Sequence, residues 1–408
     1  MRNFFTTILI PILLISTFSC QKSKHETKLK TGFWKGEIEM QNKLLPFIFE
    51  VTKNDEIYSI QVQNGGEILE MENVEVKNDS LYFTLHIFDI DIKAAINNEN
   101  LSGTYTKNYI DDYSLPFKAT YGIKNRFEQK TRSTNFDGKW AMEFKGENGE
   151  ISQGVGIFKT DNQRLTGTIL TPTGDYRYLE GFATNSNFTL YSFDGNHAFI
   201  FEGTSTADSI VTGNFWSGKN FKESFIAKRN DNAKLPDANT LTHLKEGYDK
   251  ISFSFPNLDG ELVSLNDEKY KNKVVIVQIF GTWCPNCKDE TKFLTEWYQN
   301  NKDRNVAIIG LAFEAKDDFN YAKRRVEKMI ERLQVPYDFL IAGTSNKDGA
   351  SKALPMLNKI ISFPTTIIID KQGNVQKIHT GFSGPATGEY YLKFVEEFNT
   401  LMDNLLDN

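Results

Sequence analysis

The chain has 408 residues, enough for two or three domains at roughly 100–200 residues each. Its 47 Lys+Arg against 53 Asp+Glu leave a formal net charge of −6, so composition offers no basic footprint for nucleic acid. Hydrophobic residues at 39% and aromatics at 13% exclude wholesale disorder, and a count of three cysteines excludes a disulfide-dense scaffold.

Met1-Arg2-Asn3, the apolar run from Phe4 to Phe18 and then Ser19-Cys20 have the parts of a secretory signal peptide. The run falls short of a membrane span, which takes about 20 apolar residues. Thr17-Phe18-Ser19-Cys20 resembles the bacterial lipobox, with Thr17 where a Leu is usual. That resemblance implies a signal peptide over 1–19, lipidation of Cys20 and a polar, Lys-rich tether over 20–30. The alternative is an ordinary cleaved signal with a chance cysteine. The expectation is a globule outside the cytoplasm, anchored through lipid on the periplasmic side of an outer membrane.

Residues 31–230 read as strands and turns, with short apolar/polar alternations between turn pairs such as Gly65-Gly66, Thr173-Gly174 and Asp194-Gly195. Between Ser80 and Ile96 the alternation switches phase at Ile87-Phe88, which predicts a bulge or corner. This half also repeats itself. Gly32-Phe33-Trp34 matches Gly138-Lys139-Trp140, and the run Phe83 to Asp89 matches Phe188 to Asp194. Ser102-Gly103-Thr104-Tyr105 corresponds to Thr212-Gly213-Asn214-Phe215, and Phe117 to Phe225. The expectation is two copies of an antiparallel all-β unit, over 31–122 and 136–230. They are two small barrels or sandwiches, or halves of one larger closed sheet, since open edges invite aggregation. The repeated aromatics read as core, with a ligand cavity as the sharper alternative. His86 and His197 sit at related points of the two copies and read as core or surface residues. Residues 231–249, polar with Pro236, read as a linker or a docking segment.

After residue 250 the pattern changes to alternating strands and helices, which indicates an α/β domain over 250–408. Val274 to Phe280 is a continuous apolar strand but for Gln278, followed by Gly281-Thr282-Trp283-Cys284-Pro285-Asn286-Cys287 and a helix. The spacing delivers Cys284 to a helix N-terminus, where free N–H groups and the helix dipole stabilise a thiolate. Cys287 lies close enough to close a disulfide within one turn. Half a zinc site or an inert staple is the alternative, but zinc needs four ligands and no second CxxC or paired His is present.

Residues 250–408 resemble the TlpA/ResA-like branch of the thioredoxin superfamily, including its versions in lipoproteins of the Bacteroidetes type. The match runs through Asn257-Leu258-Asp259-Gly260, Trp283 to Cys287, and Phe363-Pro364-Thr365-Thr366 before Ile367-Ile368-Ile369-Asp370. It covers about two-fifths of the chain and leaves the β-rich half outside. The resemblance implies a thiol–disulfide oxidoreductase with Cys284 as nucleophile and Cys287 as resolving thiol. It implies a cis Pro364 facing them and Phe363, Pro364 and Thr365 in the substrate groove. Trp283 is expected as an exposed aromatic beside the nucleophile. Members of this branch carry a Glu three residues after the second Cys, here Glu290, and Gln278 stands where thioredoxin has a buried Asp, so the resemblance implies Glu290 as the candidate general base. The family implies no cofactor or metal beyond the redox-active disulfide. Its partners would be protein thiols and disulfides and a membrane thiol-electron carrier. Two readings compete with a protein-disulfide reductase. One is a binding lipoprotein whose β-rich half holds a ligand or partner and whose α/β domain is structural. The other is a peroxidase, disfavoured because Thr282 stands only two before Cys284 and the spaced Pro is absent.

Overall fold

The computed structural model describes residues 28–128, 135–162, 164–207 and 209–407. The apolar leader 1–19, Cys20 and residues 21–27 of the tether lie outside the described residues.

Two nine-stranded antiparallel sheets make up the β-rich half. In the first, Gly32–Met40 lies between Lys43–Asn54 and the last strand, Ser114–Tyr121. In the second, Gly138–Gly146 lies between Ile151–Asp161 and the last strand, Phe221–Arg229. The second sheet closes on itself, because Ile151–Asp161 also pairs with Arg164–Thr171. The first keeps two edges, Glu67–Glu70 and Glu72–Lys77, and between them Met71 N–H donates to Ile60 C=O of the neighbouring strand Ile57–Asn64 at 2.8 Å. Each unit is therefore its own barrel-like sheet, not half of one larger sheet.

The repeat extends to hydrogen bonds. Trp34 Nε1 donates to the Lys30 carbonyl at 3.0 Å, and Trp140 Nε1 to the Phe136 carbonyl at 2.9 Å, each four residues back. Both indoles are buried, so each needs this acceptor. Phe144, Phe188, Phe201, Phe215 and Phe225 fill the second barrel, so its repeated aromatics are core. The phase switch at Ile87-Phe88 is a corner. The strand Ser80–Thr84 ends, His86 takes φ 51°, and Ile90–Asn97 returns antiparallel.

The α/β domain is built on a five-stranded sheet, ordered Asp338–Thr344, Val306–Glu314, Val274–Phe280, Thr365–Ile369, Val375–Thr380. The first three strands run parallel, Thr365–Ile369 runs antiparallel to the central one, and Val375–Thr380 is antiparallel to Thr365–Ile369 in turn. Val274–Phe280 is buried along its whole length, as expected of a strand covered on both faces. Helices Pro285–Asn301, Phe319–Leu333 and Glu389–Asp407 cover the sheet. Among the described residues no helix is long and apolar enough to cross a membrane.

Residues 231–249 are docked at both ends. Ala233 and Leu235 pack with Val155 and Leu170 of the second barrel. After the helical turn Ala238–Leu241, Thr242 N–H donates to Thr380 Oγ1 at 3.2 Å and Leu244 bridges to Leu357. The chain thus crosses from barrel to α/β domain at Pro236-Asp237.

Candidate active site

Cys284 is the N-cap of the helix Pro285–Asn301, with φ −99° and ψ 113°. Its sulfur accepts from the Cys287 backbone N–H at 3.1 Å, which meets one of the free donors of the first turn. Pro285 occupies the first turn, where no N–H is needed. Cys284 and Cys287 form a disulfide. The turn before them is pinned from below: Thr282 donates to Glu314 from its backbone N–H and from its hydroxyl, both at 2.8 Å. Burial pushes the Glu314 carboxyl up, against those two donors.

Across the disulfide lies the loop ahead of strand Thr365–Ile369. The Phe363–Pro364 peptide is cis, and the Phe363 carbonyl oxygen is 3.4 Å from Cys284 Sγ. The Phe363 ring packs edge-on to Trp283 at 5.5 Å between centroids and tilted to Phe313 at 5.8 Å. Thr365 is fully buried and donates its hydroxyl to the Ser362 carbonyl at 2.9 Å, so it braces this loop from inside.

Glu290 is buried on the same helix as Cys287, one turn on. Gln278 Nε2 and Thr366 Oγ1 each donate to one of its carboxylate oxygens at 2.8 Å. Burial pushes its pKa up to about 7, with those two hydrogen bonds acting the other way. Such a carboxyl can take and release a proton near neutral pH.

Trp283 departs from expectation. It is half-buried rather than exposed, because its Nε1 donates to the Phe313 carbonyl at 3.0 Å and its own carbonyl accepts from Asn196 Nδ2. Asn196 belongs to the second barrel, as do other residues on this face. Asn286, between the cysteines, donates from Nδ2 to the Asp175 carbonyl at 3.1 Å. Asp175 Oδ2 accepts from Gly384 N–H at 2.8 Å, and Ser362 Oγ donates to the Thr173 carbonyl at 2.7 Å. Burial pushes the Asp175 carboxyl up to about 6, although the Gly384 amide and the Arg177 charge favour its anion.

The sequence marked Thr173-Gly174 and Asp194-Gly195 as turns, but gave no sign that they meet the cysteines. His197 Nδ1 lies 2.9 Å from Asp194 Oδ2 and its ring stacks on Phe199, within the same turn. His86 is buried against the Glu70 carbonyl, and burial followed by the charge of Lys288 pushes its pKa down to about 3. Among the described residues, no group of three His, Cys, Asp or Glu side chains is arranged to hold a metal ion.

Residues 247–378 match the AhpC/TSA family. The C-terminal region is a thioredoxin-like domain of that family. Among curated proteins the chain is similar to the thioredoxin-like protein YneN of Bacillus subtilis, 28% identical over 138 residues, or 34% of this chain and 73% of the relative. It is also similar to the thiol-disulfide oxidoreductase ResA of Halalkalibacterium halodurans, 24% identical over 37% of this chain and 78% of the relative. ResA of Geobacillus kaustophilus is 31% identical over 32% of this chain and 66% of the relative. A solved thioredoxin domain of a thiol-disulfide oxidoreductase from Bacteroides vulgatus aligns over 38% of this chain and 99% of its own, at 25% identity and a TM-score of 0.29. By family and relatives the chain is a thiol–disulfide oxidoreductase of thioredoxin type.

Proposed function

We propose that the protein is an extracytoplasmic, lipid-anchored reductase of protein disulfides. The Cys284–Cys287 disulfide at a helix N-terminus, set against the Phe363–Pro364 loop, carries this reading. In the reduced enzyme the Cys284 thiolate, favoured by the helix dipole and the Cys287 N–H, attacks one sulfur of a substrate disulfide. A mixed disulfide forms and the other substrate sulfur leaves as a thiolate. Cys287 then gives its proton to Glu290 and attacks Cys284 Sγ. The second substrate thiolate leaves, and the enzyme disulfide closes. Two electrons have passed to the substrate, and an external dithiol, such as a membrane thiol carrier, restores the Cys284 and Cys287 thiols. Phe363, Pro364 and Trp283 would line the substrate strand. The disulfide itself is the redox group, with no further cofactor.

The anchor rests on Thr17-Phe18-Ser19-Cys20 and the apolar run before it. Mass spectrometry of the mature N-terminus tests it: a lipidated Cys20 is expected, and an unmodified one removes the anchor.

Dithiothreitol-driven insulin reduction tests the activity. Cys284→Ser should abolish it, and Cys287→Ser should accumulate mixed disulfides. The reduction potential tests its direction. CxxC proteins span roughly −270 to −120 mV, and a value at the oxidising end would overturn the reductase reading. Peroxide consumption without insulin reduction would replace it with a peroxidase.

A further inference from the structure

The nucleophile of a disulfide exchanger has to meet another sulfur along the axis of the bond being broken. Here Cys284 is 5% exposed, Cys287 is 0% exposed, and Asn286 between them is 8% exposed. The β-rich half bonds to the residues that surround them. Thr173 sits on Ser362, Asp175 on Asn286 and Gly384, and Asn196 on Trp283. Thr173 and Asp175 therefore stand beside the loop that would present Phe363 to an extended substrate. At 5% exposure Cys284 presents little surface to a folded protein disulfide in this arrangement.

The contact is held by charge. Arg177 of the second barrel is buried among three carboxylates. Glu67 of the first barrel accepts from its Nη2 at 2.7 and 2.8 Å. Asp194 Oδ2 lies 3.0 Å from its Nε, close but not aligned for a hydrogen bond, and Asp289 of the active-site helix accepts from its Nη1. Lys288, the residue after Cys287, donates to Glu67 at 2.9 Å. Burial favours the neutral form of Glu67, yet Arg177 and Lys288 outweigh it and hold the carboxyl down at about 2. Two cations thus face three anions drawn from all three parts of the molecule.

A second patch repeats the arrangement on the corner of the first barrel. Tyr321 donates to Asp89 at 3.0 Å and Arg325 to the Ile87 carbonyl, both from the helix Phe319–Leu333. From the same helix, Lys328 meets Glu72 at 2.6 Å and Arg332 meets Glu70 at 2.7 Å. The repeated runs ending in Asp89 and Asp194 thus supply both docking corners. Desolvation offsets much of what buried ion pairs gain, so such contacts fix one docked geometry without adding large net stability. The cover is joined to the α/β domain by one covalent crossing, at Pro236-Asp237.

We propose that the β-rich half is a built-in cover of the Cys284–Cys287 site, latched by the Glu67–Arg177–Lys288–Asp289 cluster, and that protein disulfides gain access when it lifts. The cover excludes bulky partners and admits small thiol reagents. This rests on thiol–disulfide exchange at Cys284, and the test separates the two claims. The reduced full-length protein is treated with N-ethylmaleimide and with a maleimide carrying a long polyethylene glycol chain, and labelling of Cys284 is followed by peptide mass spectrometry. The bulky reagent should react more than tenfold more slowly in the wild type. In Glu67→Gln, and in the double variant Lys328→Ala/Arg332→Ala, that ratio should fall severalfold. Insulin reduction should rise by a similar factor, while exchange with a small aromatic disulfide stays unchanged.

Equal labelling rates in the wild type overturn the cover, and so does an unchanged ratio in variants with native circular dichroism. If the variants do not fold, the wild-type ratio still decides. If neither insulin nor the small disulfide is exchanged, the activity reading fails, and the labelling ratio decides the cover on its own.

Discussion

Gln278 Nε2 donates to Glu290 Oε2 at 2.8 Å, so a neutral amide, rather than a second carboxyl, faces the buried acid of the active-site helix. With Thr366 on the other oxygen, both acceptors of Glu290 are engaged and its pKa still stands near 7. If Glu290 takes the proton of Cys287, resolution of the mixed disulfide accelerates as pH rises through about 7. Glu290→Gln can still bond both neighbours, as acceptor from Gln278 and donor to Thr366, but it cannot titrate. Single-turnover decay of a mixed disulfide, followed from pH 5.5 to 8.5, should lose its inflection near 7 in this variant. At neutral pH it should slow by about tenfold or more, toward the 10²-fold typical of general catalysis. A retained inflection assigns the proton to another group.

The same carboxyl links pH to stability. Its folded pKa is raised from 4.5 to about 7, so the fold favours the protonated form. Between those two values the native state binds more protons than the unfolded chain, and stability falls as pH rises through that window. At 1.36 kcal/mol per unit the loss is on the order of 3 kcal/mol by pH 8, as an upper figure. Glu290→Gln escapes it. The variant should melt higher than wild type at pH 8 and lose that advantage at pH 4.5. An identical difference at both pH values would mean that folding does not shift the Glu290 pKa.

Replacing the amide tests the pair from the other side. Gln278→Asp sets a second carboxyl near Glu290, and two such groups in one buried site cannot both ionise cheaply. The pair should titrate in two steps, the upper one above 7. The inflection in mixed-disulfide decay should then move to higher pH, with the rate at pH 7 falling severalfold. An inflection still at 7 would count against the Glu290 assignment.

The chemistry of the cysteine turn was legible because it is local. A buried strand, a CxxC with Pro285 and a helix place Cys284 at an N-terminus whatever the rest of the chain does, whereas Glu290 was marked only through the family resemblance. The repeat was legible too, since Trp34 and Trp140 fix the same indole bond in both barrels. Two separate units, rather than one larger sheet, depend on which strands pair, as where Ile151–Asp161 meets Arg164–Thr171 and closes the second, and alternation alone carries no pairing information. Trp283 was misjudged for a related reason. Its indole is held by the Phe313 carbonyl and its own carbonyl by Asn196, 87 positions earlier in the chain, and the spacing near the cysteines registers neither. Arg177 is the extreme case: an arginine in a turn reads as solvated, and only the tertiary arrangement surrounds it with Glu67, Asp194 and Asp289.

Glu314 offers a test of how the cysteine turn is held. It is buried at the end of the strand Val306–Glu314 and receives two hydrogen bonds from Thr282, two residues before Cys284. Glu314→Ala would leave the Thr282 N–H and hydroxyl buried without an acceptor, at about 1–3 kcal/mol for each unsatisfied group. Glu314→Gln keeps an acceptor for the N–H and offers a donor to the hydroxyl, and it no longer has to bury a charge. The alanine variant should therefore melt several degrees lower and lose amide-exchange protection over residues 281–284. The glutamine variant should stay within about 1 kcal/mol of wild type, a typical net value for one hydrogen bond. Equal losses in both would show that charge, not hydrogen bonding to Thr282, is what Glu314 contributes.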